Sequence, residues 1–183
     1  MRALGLDPVH GTRETFRTLC DAMSRPGTIQ QTPNKPADYA VVATLVDHEV
    51  KTYTSDSTLK KALSEQGRLQ DAHPEDADIV HTHGAPSWDV GELERGSLVE
   101  PSDGATVVYD VESVSNRSTN GSTSVTLSGP GVSDATTIHI GLPAAELDSI
   151  RKAQSTYPRG IDVVFTVDDR IVAVPRSVSM EVA

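Results

Sequence analysis

PRGIDVVFTVDDRIVAVPR, Pro158 to Arg176, consists of two apolar runs hinged on a pair of aspartates. Alternation places Ile161, Val163, Phe165 and Val167 on one face of a first strand. Val164 on the other face is also apolar, and Ile171 to Val174 cover both faces of a second. A hairpin greasy on both sides is an interior or interface pair. Fully burying each such side chain is worth roughly 1.5–3 kcal/mol. Asp162 cannot stay unpaired there, since removing one partner of a buried charge pair costs about 3–5 kcal/mol. With the turn at Asp168-Asp169, position 162 lies nearly opposite 175, which brings Arg176 within reach. The expectation is an Asp162–Arg176 pair, or one shared with Arg17, at the rim of a sheet. Two readings of it stand: a structural lock on the hairpin end or a dimer contact, and an arginine facing an anionic ligand.

Outward from the hairpin, strands alternate with helices. Thr12 suits an N-cap, and Phe16, Leu19, Cys20 and Met23 recur at one helical face, ended by Pro26-Gly27. That stripe reads as core and Cys20 as a buried structural thiol. ADYAVVATLVD (37–47) is open between a buried strand and a short helix. VKTYT reads as a strand, and Asp56 caps a helix through Leu59, Ala62 and Leu63 that ends at Gly67. DADIVHT, GATVVYDVESV, STSVTLSG and TTIHI read as strands, with SWDVGELERG as a short polar helix. Asn120-Gly121 is a hairpin turn signal, and Pro143 opens a helix carrying Leu147 and Ile150. The pattern predicts one α/β domain over residues 1–183, with a mixed sheet flanked by helices.

The bulk numbers fit one domain. The chain has 183 residues, 37% hydrophobic, with one cysteine, so no internal disulfide and no cysteine-based zinc cluster is expected. The N-terminus lacks the apolar core of a signal peptide and no run reaches the length of a membrane helix, which implies a cytoplasmic protein and no membrane partner. The formal charge is −10, with 11 Arg to 5 Lys and 16 Asp to 10 Glu. That balance argues against a sequence-independent nucleic-acid binder. It suits a high-salt cytoplasm, where screening suppresses self-repulsion. A halophilic source is therefore expected, against the alternative of an ordinary acidic protein.

Few residues carry a chemical signature. His81 and His83, at i and i+2, share a strand face and could ligate one ion. No third ligand stands at a recognisable spacing, and HTHG reads as a strand running into a solvated loop, so no metal is expected. SGPG (128–131) follows a strand but lacks the glycine spacing and Lys-Ser/Thr of a Walker loop; it reads as a turn. No G-x-G-x-x-G and no G-x-S-x-G is present. No catalytic residue is identified. Arg17, Arg25 and Arg176 sit beside turns or on polar helix faces, where an arginine fork binds phosphate or carboxylate. They are the candidate anion-binding residues, with surface ion pairing as the alternative role for each.

Four segments in order say more: FRTLCDAMSRPGTI (16–29), GSLVEPSDGATVVYDVESV (96–114), LSGPGV (127–132) and PRGIDVVFTVDDRIVAVPRSVSMEV (158–182). Together they resemble the PhnH family, the H subunit of the bacterial carbon–phosphorus lyase core complex of phosphonate utilisation. The resemblance runs from about Gly11 to the C-terminus. It implies a fold similar to the large domain of pyridoxal-phosphate-dependent transferases, without that cofactor or any other. Lys51, Lys60, Lys61 and Lys152 sit in polar stretches, not at the end of an apolar strand where a Schiff-base lysine is expected. The resemblance further implies a homodimer when alone, and assembly with the G, I and J subunits. With G, I and L proteins, such subunits support transfer of ribose triphosphate from ATP to a phosphonate such as methylphosphonate, displacing adenine. The role implied is non-catalytic and organising, and the anion of the second Arg176 reading becomes a phosphonate or polyphosphate. The alternatives are an autonomous phosphotransferase or hydrolase, and an anion-binding module. The polar tip at 115–124 looks longer than is usual for the family.

Overall fold

A computed structural model describes residues 4–7 and 9–183. Its elements in chain order are α1 (His10–Ser24), β1 (Gln30–Gln31), α2 (Ala37–Leu45), β2 (Lys51–Thr54), α3 (Ser57–Glu65), β3 (Gln70–Asp71), β4 (Ile79–His83) and β5 (Thr106–Asp110). There follow β6 (Val114–Ser115), β7 (Thr123–Ser128), β8 (Thr136–Ile140), α4 (Ala144–Ala153), β9 (Asp162–Val167), β10 (Arg170–Val174) and β11 (Ser179–Val182). Seven strands form one sheet in the order β1-β10-β9-β5-β4-β2-β3. Within it β3, β2, β4, β5 and β9 run parallel, and β10 returns antiparallel to β9. Four more strands form a small antiparallel sheet, β11-β7-β8-β6.

The terminal hairpin is β9–β10, turning at Asp168 and Asp169, and it lies inside the large sheet. Both of its faces are covered because each meets a different core. Val163, Phe165, Val172 and Val174 pack with Leu127 and Ile138 of the small sheet and with α4. Val164, Ile171 and Ala173 pack under α1, α2 and α3. The small sheet, with α4, therefore covers one face of the large sheet and three helices cover the other. This is an α/β architecture with a mixed sheet flanked by helices.

The ambiguous run at 37–47 is the helix α2, buried along nearly its whole length. Asp56 caps α3 by accepting the Leu59 N–H at 2.7 Å, and Gly67 follows its end with φ of 63°. Pro143 precedes α4, whose Leu147 and Ile150 are fully buried.

Four expectations are corrected. The first helix begins at His10, not after Thr12, because the Asp7 carboxylate accepts the N–H groups of Val9 and His10. Its buried face is Gly11, Thr15, Leu19 and Ala22, so Phe16 is 52% exposed and Cys20 is an exposed thiol, not a core one. Small residues win that face because Asn34 comes in close, donating to the Gly11 carbonyl and to Thr15 Oγ1. SWDVGELERG makes only a 3₁₀ turn at Val90–Glu92, held by the Asp89 carboxylate on the Gly91 N–H. The Asn120-Gly121 turn forms, but β6 pairs with β8, and the hairpin partner of β7 is β8 across the SGPG loop.

Candidate functional site

Two constellations hold the polar chemistry. The first closes the mouth of the terminal hairpin. Register pairs Val174 with Val163, so Asp162 faces the residue just before Arg176. Arg176 Nε donates to Asp162 Oδ2 at 3.1 Å, and the Arg176 backbone N–H donates to Oδ1 at 2.8 Å. Nη2 donates to the same carboxylate and to the Gly104 carbonyl, and Nη1 to the Pro101 carbonyl. The two side chains are 13% and 17% exposed. With all three guanidinium nitrogens engaged by protein oxygens, the fork is closed upon the chain, not held open for an anion. Arg25 pairs instead with Asp21 at 3.2 Å, and Arg17 lies on the exposed side of α1. The three arginines share no partner.

The second constellation stands at the carboxyl ends of β2, β4 and β5, the edge where open α/β sheets bind ligands. His81 and His83 leave β4 on the face turned to the helices, their rings 4.9 Å apart edge to face. His81 is fully buried, which corrects the expectation of a solvated loop. Its Nε2 lies 3.0 Å from Asp38 Oδ2, and its Nδ1 meets Thr54 Oγ1 at 2.8 Å. Asp38, itself 2% exposed, comes from the first turn of α2. His83 is half-exposed and bridges two carboxylates, Nδ1 to Asp110 and Nε2 to Asp56, each at 3.0 Å. Tyr39 Oη also donates to Asp56, at 2.9 Å.

The electrostatics follow from these partners. Burial disfavours the charged His83 ring, but the carboxylates of Asp110 and Asp56 outweigh it and hold the imidazolium above its ordinary value. Burial also works against the Asp56 carboxylate; the Leu59 N–H, the Tyr39 hydroxyl and His83 overcome it and keep the acid below the usual range. For Asp110 burial prevails, with the nearby Asp38 charge adding to it, and its acid is raised. Burial and the Asp56 acceptor push the Tyr39 phenol up to about 12. On the opposite face of the sheet Tyr109, fully buried, donates to Glu146 Oε1 at 2.6 Å, and burial raises both groups.

Sequence reasoning found the shared face of His81 and His83 and missed everything around it. Asp38, Asp56 and Asp110 lie on three separate elements, and no spacing announces them. The signal available was the acid at position 38 inside an apolar run, which is uncommon unless the charge has a buried partner.

The four segments that carry the family resemblance meet each other in pairs. A Cβ on Gly131 of LSGPGV would stand 2.7 Å from the Ser24 carbonyl and 2.9 Å from the Pro26 ring of SRPG. A Cβ on Gly104 would strike the Arg176 guanidinium and the Gly160 carbonyl. The bacterial phosphonate metabolism protein family (PhnH) matches residues 5–181. The chain belongs to the PhnH family. It is 27% identical over 190 residues to the PhnH subunit of alpha-D-ribose 1-methylphosphonate 5-triphosphate synthase from Rhizobium meliloti strain 1021, covering 96% of this chain and 92% of that one. In this PhnH member the resemblance motifs are junctions where two backbones or a backbone and a guanidinium touch. Among the described residues no helix is long and apolar enough to cross a membrane.

Proposed function

We propose that this PhnH chain is a non-catalytic, organising subunit of an assembly that makes ribose 1-methylphosphonate 5-triphosphate in phosphonate catabolism. In that reaction the bond from ribose C1 to adenine breaks, a bond from C1 to a phosphonate oxygen forms, and adenine leaves. The observation that carries the reading is the family match over residues 5–181. It is supported by the motif residues being packing junctions and by an Arg176 fork already filled with protein acceptors.

Within the same reading its partners are the G, I and J subunits, it is a homodimer when alone, and it works in the cytoplasm. The fold is akin to the large domain of pyridoxal-phosphate-dependent transferases with the cofactor function lost. Support comes from the lysines: Lys35 and Lys60 are paired with Asp168 and Asp71, and Lys51, Lys61 and Lys152 are exposed. The acidic surface is an adaptation to high salt.

Co-expression with G, I and J partners followed by affinity capture tests the reading. A complex of fixed stoichiometry, with no ATP consumed by the H chain alone, is the expected result. A lone chain that turns over ATP, and captures none of the three, overturns it in favour of an autonomous phosphotransferase or hydrolase.

A further inference from the structure

Asp38, His81 and His83 offer one carboxylate oxygen and two imidazole nitrogens that all lie within 4.8 Å of one another. We propose that these three side chains form a binding site for one divalent transition ion of the zinc class. Two imidazoles and a carboxylate are a donor set that zinc and its neighbours accept, with a further position left to solvent.

Three independent features favour an ion over a purely structural hydrogen-bond network. Asp38 and His81 are buried at 2% and 0% exposure beside an otherwise apolar core of α1, α2, α3 and the sheet. Burying such groups is costly, and an apolar pair of the same size would pack α2 onto β4 without that cost. Next, the outer partners that orient ligating histidines are already in place. His81 Nδ1 lies against Thr54 Oγ1, so with an ion on Nε2 the ring proton sits on Nδ1 and the threonine oxygen accepts it. His83 Nδ1 lies against the Asp110 carboxylate, so an ion on Nε2 takes the place of that nitrogen's 3.0 Å contact with Asp56. Finally, the trio stands at the carboxyl ends of three parallel strands and is open to solvent on the His83 side, where that side chain is 45% exposed.

The distances are compatible. Ligands about 2.0–2.1 Å from zinc in a tetrahedral site are about 3.4 Å apart, so no separation needs to close by more than about 1.4 Å. His81 and Asp38 are held by packing and are already 3.0 Å apart. His83, at the end of its strand and half in solvent, is the ligand that moves.

The test uses the full-length chain, stripped with chelator and titrated with ZnCl₂ by calorimetry, with thermal melts in parallel. The expected result is one ion per chain at micromolar affinity or tighter, and a melting temperature several degrees higher with zinc. His83→Ala removes the most exposed ligand with the least risk to the fold, and should weaken binding at least tenfold and abolish the melting shift. Exposed His48, past the opposite end of α2 from Asp38, is the control, and His48→Ala should bind as the parent does. Cobalt provides a second readout: the parent should develop the visible d–d bands of a four-coordinate N/O site, and Asp38→Asn should lose them. Zinc binding that is substoichiometric, or equally tight in His83→Ala, overturns the proposal whatever the outcome of subunit capture.

Discussion

Each nitrogen of the Arg176 guanidinium donates to a protein oxygen, and two of them, Nε and Nη2, converge on Oδ2 of Asp162. Arg176→Met leaves that carboxylate without its main partner at the mouth of a closed hairpin. Removing one partner of a buried pair costs about 3–5 kcal/mol, and the pair's slight exposure places the loss near 3. Urea unfolding measures it. A variant that is fully stable yet loses affinity for methylphosphonate or a polyphosphate would instead establish the anion-binding reading. Gly104→Ala should produce a comparable loss without removing a charge, because the new methyl group meets the backbone carbonyl of Gly160 and the Arg176 guanidinium, which is held by its protein acceptors. Glu146 tests the opposite face of the sheet through pH. Burial raises its acid above the ordinary 4.5, against the opposing hydrogen bond from Tyr109 and with help from the Asp89 charge. The folded state thus holds this proton at a pH where the unfolded chain has released it. The associated stabilisation is complete below 4.5 and drains away as pH rises through the folded value. Glu146→Gln keeps an acceptor for Tyr109 and cannot titrate. The urea midpoint of the parent, relative to this variant, should therefore fall between acidic and neutral pH; a flat difference refutes the assignment.

At the scale of elements, α1 shows how a good periodic pattern misleads. Phe16, Leu19, Cys20 and Met23 form an apolar stripe, yet the helix is turned about a quarter of the way round, so that Gly11, Thr15, Leu19 and Ala22 face inward. Close approach to Asn34 and α2 needs small residues more than it needs greasy ones. Leu19 is the residue common to both faces. Leu19→Ala should cost about 2–5 kcal/mol, whereas Phe16→Ala in the isolated chain should stay within about 0.5 kcal/mol. Equal losses would restore the stripe as core. The terminal hairpin was legible for the opposite reason: its apolar residues fill both faces of both strands, so no rotation or register shift could hide them, and Asp162 and Arg176 were placed by the turn alone. β2, β4 and β5 could be read as strands, but their parallel order could not. That order brings Asp110 and the Asp56 cap to His83, and it brings the buried Asp38 of an undecided segment to His81. Local pattern fixed the histidine pair; only long-range pairing supplied its carboxylates.

At the scale of the molecule, 26 acidic residues against 16 basic ones leave a charge of −10 on a chain of 183 residues. Ion pairs offset little of this. Lys35–Asp168, Lys60–Asp71 and Arg25–Asp21 lie on the surface, where water and salt weaken them. The repulsion is concentrated in places. Glu75, Asp76, Asp78, Glu94 and Asp103 line one hollow with Lys51 as the one cation among its lining residues. Salt acts on both kinds of interaction, shortening the screening length from about 10 Å at 0.1 M to about 3 Å at 1 M. It therefore removes more repulsion than attraction here, because the uncompensated charges outnumber the exposed pairs. Thermal melts in 0.05 M and 2 M KCl should show a clear rise in midpoint with salt. Glu75→Gln with Asp76→Asn relieves the hollow without disturbing Asp78, whose carboxylate accepts the Lys51 N–H at 2.9 Å. That double variant should be more stable than the parent in dilute buffer and should gain less from added KCl. A midpoint that does not move with salt would mean that the acidic surface is no adaptation to a saline cytoplasm. An equal gain in parent and variant would place the repulsion elsewhere on the surface.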